Sequence, residues 1–210
     1  MQYVLELPEI VEEVHRRAVD LGFDLRAEGN RAGSAAGPSC CLDEVGALLR
    51  VLVASRPGGR IGEIGSGAGV GTAWMADGLK SNARLTTVEL EPRLAEAVRD
   101  GFARRADVDV LTGDWQDAFA ERAPFDLLFA DGGGVGSRQA AGRAAAQLVK
   151  PSGLVILDDL TPEALWPDAW RGTPDPKREL AFRSGLFDSA EVLVRPDVAV
   201  LLMTRRENAT

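Results

Sequence analysis

The sequence predicts an α/β fold: a doubly wound, mostly parallel seven-stranded sheet with an antiparallel last strand, preceded by two N-terminal helices. Three observations carry this. From Arg60 onward, short apolar runs alternate with stretches of helical periodicity, at Arg60–Ile64, Leu85–Glu89, Val108–Leu111, Phe125–Ala130 and Leu154–Leu157. Helical patterns at Val70–Leu79, Pro92–Ala103 and Ser137–Val149 lie between them, and βα alternation of this kind implies a parallel sheet covered on both faces. Two final runs, Ala190–Val194 and Val198–Met203, flank Arg195-Pro196-Asp197 closely enough for a hairpin, which turns the last strand antiparallel.

The two leading helices follow from spacing. In Pro8–Leu21 the apolar residues Ile10, Val11, Val14, Ala18 and Leu21 fall on one helical face. Asp43–Ser55 does the same with Val45, Leu48, Leu49, Leu52 and Val53, and Pro57-Gly58-Gly59 ends it. Arg26–Ser39 is rich in Gly, Ala, Ser and Asn and reads as a loop. The 210 residues suit one domain, with residues 1–56 as the helical lead and 60–204 as the core. Residues 161–177 break the rhythm with four prolines and two tryptophans, Trp166 and Trp170. A long irregular segment directly after the fifth strand reads as a lid or as a surface excursion.

Composition narrows the function classes. The net charge is −8, with 32 acids against 24 bases, which disfavours a nucleic-acid partner and leaves a small molecule as the expected substrate. No apolar stretch is long enough to span a bilayer and Met1–Leu7 lacks the pattern of a secretory signal, so the expected location is cytoplasmic. Cys40 and Cys41 are adjacent and read as two thiols at a loop-to-helix junction. The one histidine, His15, reads as a packing or solvated side chain of the first helix. The pairs Arg16-Arg17 and Arg104-Arg105 read as solvated helix faces.

The strongest signal is Glu63-Ile64-Gly65-Ser66-Gly67-Ala68-Gly69-Val70-Gly71-Thr72, between a strand and a helix. Glycines there let a ligand approach the backbone, and the helix beyond offers free N–H groups. The dinucleotide spacing G-x-G-x-x-G fails, because its third glycine falls on Val70 or Thr72. No P-loop lysine follows. Glu89 ends the second strand, where a carboxylate can accept ribose hydroxyls; Glu91, beside Pro92, reads as a helix-start acid. Gly113-Asp114-Trp115 ends the third strand, with Asp114 placed for an adenine amino group and Trp115 beside the ring.

The E-x-G-x-G-x-G loop resembles the S-adenosylmethionine (SAM) site of class I methyltransferases, a Rossmann-like fold. The blocks Gly62-Glu63-Ile64-Gly65, Thr87-Val88-Glu89, Thr112-Gly113-Asp114, Phe125–Asp131 and Gly153–Asp159 resemble the catechol/caffeoyl-CoA type O-methyltransferase family across nearly the whole chain. The resemblance implies SAM-dependent O-methylation of a small-molecule hydroxyl. Cofactor-binding residues would be Glu63, Gly65, Ser66, Gly67, Gly69, Thr72, Glu89, Leu90, Gly113, Asp114, Trp115 and Asp131. It also implies a divalent metal, Mg²⁺ or Ca²⁺, on Asp131, Asp158 and Asp159, with Asp131 and Asp158 catalytic, and a homodimer formed with help from the leading helices. The pair Asp158-Asp159 equally fits helix capping and turn formation after a strand. The chain departs from the family where a lysine usually follows the first aspartate: here Gly132-Gly133-Gly134-Val135-Gly136 follows, then Arg138, which holds its proton too tightly to act as a base. Two other classes stay open. A nicotinamide-dependent oxidoreductase is disfavoured by the glycine spacing and by Tyr3 being the only tyrosine. A non-catalytic SAM-binding module has the missing lysine as its support.

Overall fold

The computed structural model describes residues 5–25, 39–132, 134–135 and 139–207. Most of the expected 26–39 loop, the start of the expected helix at Ser137 and Arg138, Tyr3, Gly133 and Gly136 lie outside the described residues. Seven strands form one sheet in the order β3-β2-β1-β4-β5-β7-β6. They are β1 (Arg60–Ile64), β2 (Arg84–Glu89), β3 (Val108–Thr112), β4 (Phe125–Ala130), β5 (Val149–Leu160), β6 (Phe187–Arg195) and β7 (Val198–Arg205). All neighbouring pairs from β3 to β5 are parallel, whereas β7 runs antiparallel to both β5 and β6. The helices are α1 (Glu9–Asp20), α2 (Asp43–Ala54), α3 (Val70–Gly78), α4 (Pro92–Gly101), α5 (Trp115–Ala118), α6 (Gln139–Gln147) and α7 (Pro176–Arg183).

Side-chain alternation along the strands splits the core into two layers. In β4, Leu127 and Phe129 face one layer while Leu128 and Ala130 face the other, and in β7 Val198 and Val200 alternate with Ala199 and Leu201. The first layer takes Val11, Val14 and Ala18 from α1, Val45 and Leu49 from α2, and Trp74 from α3. The second takes Ala141 and Ala145 from α6 and Leu180 from α7. Both faces of the sheet are therefore covered, as its near-continuous apolar strands require.

The leading helices are built in by one glycine and one carboxylate. A methyl group on Gly46 would lie 2.1 Å from Cδ1 of the fully buried Trp74, so glycine lets α2 and α3 touch. The Trp74 indole N–H then donates to Asp43 Oδ1 at 3.0 Å, and His15 Nε2 lies 3.1 Å from the same oxygen. His15 thus ties α1 to the start of α2, in keeping with a packing role.

The structure differs from the sequence expectation in several places. β5 is far longer than Leu154–Leu157, because Pro151-Ser152-Gly153 sits in a bulge that apolar pattern alone does not register. Helices α5 and α7 were not anticipated; both are short, and both start at an aspartate whose side chain accepts a backbone N–H two or three residues on. The irregular segment after β5 accordingly stops at Asp175, since Pro176 and Lys177 belong to α7. Arg105 is no solvated helix face: its guanidinium donates to the Ala76 carbonyl at 2.7 Å and pairs with both oxygens of Asp107.

Replacing Gly46 by alanine is expected to force the α2–α3 contact apart and to destabilise the fold by about 1–3 kcal/mol, the usual scale of overpacking. A denaturant midpoint that is lower at unchanged slope is the outcome to look for.

Candidate functional site

The site lies at the carboxyl ends of β1 to β5, where the parallel ladder runs one step past each strand tip. The Gly65 N–H donates to Val88 O at 2.9 Å, the Asp131 N–H to Ile64 O at 3.0 Å and the Gly113 N–H to Glu89 O at 2.9 Å. Acids placed after these strands are thereby fixed by backbone. Gly65 has φ +87, and a methyl group there would sit 2.5 Å from the Asp131 carbonyl oxygen. Only glycine meets both demands, so this residue is what admits Asp131 beside the first loop.

A cavity of about 330 Å³ opens above these tips, lined by Ile64, Gly65, Val88, Glu89, Leu90, Gly113, Asp114, Trp115 and Asp131. Seven of the residues expected from the sequence to bind cofactor therefore share one space. Glu89 is held by two backbone donors, Gly67 N–H at 2.9 Å and Glu91 N–H at 3.0 Å. Asp114 lines the cavity and also caps α5, accepting from Gln116 N–H at 2.8 Å. Trp115 is buried, and Leu90 stands exposed at the mouth.

Glu63 and Thr72 lie behind this cavity. Glu63 is only 1 % exposed, and its Oε2 accepts from the Thr72 hydroxyl at 2.5 Å. Thr72 is thus a partner of the acid, in a place where the sequence suggested cofactor contact. Burial pushes the Glu63 carboxyl up to about 7, against the lowering effect of that hydroxyl. Ser66 is buried as well, and its Oγ has no hydrogen-bond partner among the described residues. An orphaned buried hydroxyl in a glycine loop is a donor waiting for an acceptor. Gly69 has φ +89, and a methyl group there would meet Val98 and Phe102 at 3.4–3.5 Å.

At the far side of Asp131 stand Asp158 and Asp159. One oxygen from each of the three carboxylates lies within 4.8 Å of the others. Asp158 and Asp159 do not follow β5, nor do they cap a helix: they form a bulge inside it. Leu157 pairs with Leu201 and Leu160 with Ala199, so three steps on β5 face two on β7, and Asp159 has φ +61. Bulges re-aim side chains next to sites, and this one turns Asp158 inward, 4 % exposed, with its Oδ1 accepting from the Asp159 N–H at 2.7 Å. Burial and the neighbouring Asp159 push the Asp158 carboxyl up to about 7. Burial together with Asp158, Asp159 and Glu63 raises Asp131 well above the usual carboxylate range.

The sequence reading missed Lys177. Its ammonium donates to the Asp158 carbonyl and, at 3.4 Å, to the Asp159 carbonyl. Asp175-Pro176 is a helix-start signature that could have revealed α7 and with it this lysine. The two thiols are where they were expected, just before α2 and unpaired. Burial pushes Cys40 up to about 12 and Cys41 well above its ordinary value, so neither is a thiolate nucleophile.

Residues 63–160 match a family described as a methyltransferase domain. A chain named as an O-methyltransferase in Mycolicibacterium smegmatis is 31% identical over 101 residues, 45% of this chain and 48% of that one. Another, from Mycobacterium sp. strain JLS, is 27% identical over 154 residues, 70% of this chain and 63% of that one. The chain thus spans about half to two thirds of the length of these curated relatives. Among solved structures, the O-methyltransferase from Bacillus cereus in complex with SAH superposes with a TM-score of 0.68 at 22% identity, covering 96% of this chain and 93% of that one. Residues 63–160 are thus similar in sequence to a methyltransferase domain, and the chain shares its fold with the Bacillus cereus O-methyltransferase.

The buried acids give the protein a pH-dependent stability. A carboxyl whose pKa is higher folded than unfolded stabilises the fold while protonated, and that contribution is lost as pH rises through the folded value. Glu63 and Asp158 both rise to about 7. Without SAM or added divalent cation, Tm is therefore expected to fall between pH 5 and pH 8, and Glu63→Gln is expected to shrink that fall. An equal Tm for wild type at the two pH values would contradict this.

Proposed function

We propose that the chain is a SAM-dependent methyltransferase that methylates a hydroxyl of a small molecule by in-line displacement. The observation that carries this is the single cavity uniting Gly65, Glu89, Asp114 and Trp115 with Asp131, which adjoins the acid cluster of Asp158 and Asp159. Glu89 would take the ribose hydroxyls, and Asp114 and Trp115 the adenine. The free Ser66 hydroxyl would meet the amino-acid tail. The SAH bound in the Bacillus cereus structure supports the same cofactor here.

With SAM bound, an acceptor oxygen would attack the sulfonium methyl carbon as the carbon–sulfur bond breaks, the hydroxyl proton passing to Asp131 or to water. The sulfonium is a good leaving group, so the protein's contribution is alignment and exclusion of water. Asp131 lies on the cavity wall and on the acid cluster at once, which supports a role for it between methyl donor and acceptor. Three carboxylates, each with an oxygen within 4.8 Å of the others, form a hard-oxygen set, which fits Mg²⁺ or Ca²⁺. A divalent cation held by Asp131, Asp158 and Asp159 would draw the acceptor hydroxyl towards its anion.

Residues 161–175 would roof the acceptor side. Two short 3-10 turns fold this segment so that the Trp166 and Trp170 rings meet edge to face at 6.4 Å. The net charge of −8 supports a small-molecule acceptor over nucleic acid. Among the described residues no helix is long and apolar enough to cross a membrane, and two unpaired thiols suit a cytoplasmic location. Exposed Val19 on α1 and Val51 on α2 support a homodimer across the leading helices.

Calorimetry is expected to show SAM binding and no NAD binding; the reverse would end this reading in favour of an oxidoreductase. Glu89→Gln is expected to weaken SAM by about 1–3 kcal/mol, the scale of charge-assisted hydrogen bonds. Turnover on a panel of catechols and phenols is expected to stop with EDTA. Asp131→Asn is expected to lower it by about 100-fold or more, the scale of losing several kcal/mol of charge stabilisation, while SAM still binds. Binding of SAM without turnover of any hydroxyl would favour a non-catalytic module.

A further inference from the structure

The acid cluster is served by a cation from a distant part of the chain. Lys177 occupies the second position of α7, and its ammonium reaches two consecutive carbonyls of the β5 bulge, those of Asp158 and Asp159. Between these carbonyls the backbone turns through Asp159 at φ +61. A non-glycine residue is strained in that region, so it stays there only where its surroundings hold it.

The base of Lys177 is itself firm. The adjacent Arg178 is 8 % exposed and grips Glu191 with two nitrogens, at 2.8 and 2.7 Å. It also donates to Asp175 at 3.1 Å and to the Thr161 carbonyl at 3.0 Å, and lies 5.2 Å from the centre of the Trp166 ring. A guanidinium satisfied on all sides is a fixed post. The lysine beside it is therefore delivered to the bulge by a rigid helix end.

We propose that Lys177 is a positioning residue for the divalent cation: by clamping the Asp158 and Asp159 carbonyls it holds the left-handed bulge in which the Asp158 and Asp159 carboxylates converge with that of Asp131. This rests on the cation reading given above. The sign of the effect separates positioning from plain charge. With the carboxylates ionised, a neighbouring ammonium acting only through its charge repels a second cation, so its removal would tighten metal binding. A clamp predicts the opposite.

The test is Mn²⁺ affinity of the whole chain, read from the paramagnetic resonance signal of the free ion, with SAM affinity by calorimetry alongside. Lys177→Met is expected to weaken Mn²⁺ by about 10- to 100-fold, the usual cost of losing a residue that orients metal ligands, and to leave SAM affinity unchanged. Lys177→Arg, which keeps two carbonyl donors, is expected to restore most of the loss. Unchanged or tighter Mn²⁺ binding in Lys177→Met, with wild type binding normally, overturns the clamp alone. Failure of wild type to bind Mn²⁺ overturns the cation reading and the clamp with it. Should Lys177→Met also lose SAM, Lys177→Gln decides on the same two measurements.

Discussion

The close passage of Gly65 beneath the Asp131 carbonyl governs the rest of the site. Any side chain at Gly65 would drive the tips of β1 and β4 apart, and with them the glycine loop and the first acid of the cluster. Because the ladder bonds continue beyond the strand ends, through Gly65, Asp131 and Gly113, the loops that carry Glu89, Asp114 and Asp131 inherit the rigidity of the sheet. Sites held by backbone in this way keep their geometry without a bound ligand to organise them.

That rigidity has an electrostatic consequence. Glu63, Asp131 and Asp158 are gathered in a poorly solvated region with little positive charge nearby, and each is pushed towards its neutral form. Burying carboxylates together costs stability unless a counter-charge or a proton relieves them. Lys177 is the positive group that lowers both Asp131 and Asp158, and it reaches the cluster through backbone carbonyls. The clamp thus occupies backbone oxygens and leaves the carboxylate oxygens to converge, with Asp158 Oδ1 held, among the described residues, only by the Asp159 N–H.

The second half of the chain contributes a different kind of order. Arg178 joins Thr161, Trp166, Asp175 and Glu191, so the proline-rich stretch after β5 is fastened at both ends to one guanidinium. Trp166 packs against that post and against Trp170. The segment whose composition suggested either a lid or a surface excursion is thus anchored through Arg178.

Much of this was legible in the residues alone. Alternating apolar runs declared the sheet, and β1 and β4 fall where their patterns end, because both strands are buried on two faces and read as continuous apolar blocks. The glycine loop and the acids at Glu89, Asp114 and Asp131 could be placed in one cleft from their positions after strands, since the carboxyl ends of a parallel sheet share an edge. Partners set by contacts between distant segments were not legible. Thr72 turned towards Glu63, Asp158-Asp159 formed a bulge inside β5, and Lys177 arrived from a helix that begins sixteen residues after that strand. Local pattern reports how a segment meets the core. It carries no record of which two segments meet each other, and at this site those meetings decide where the charges stand.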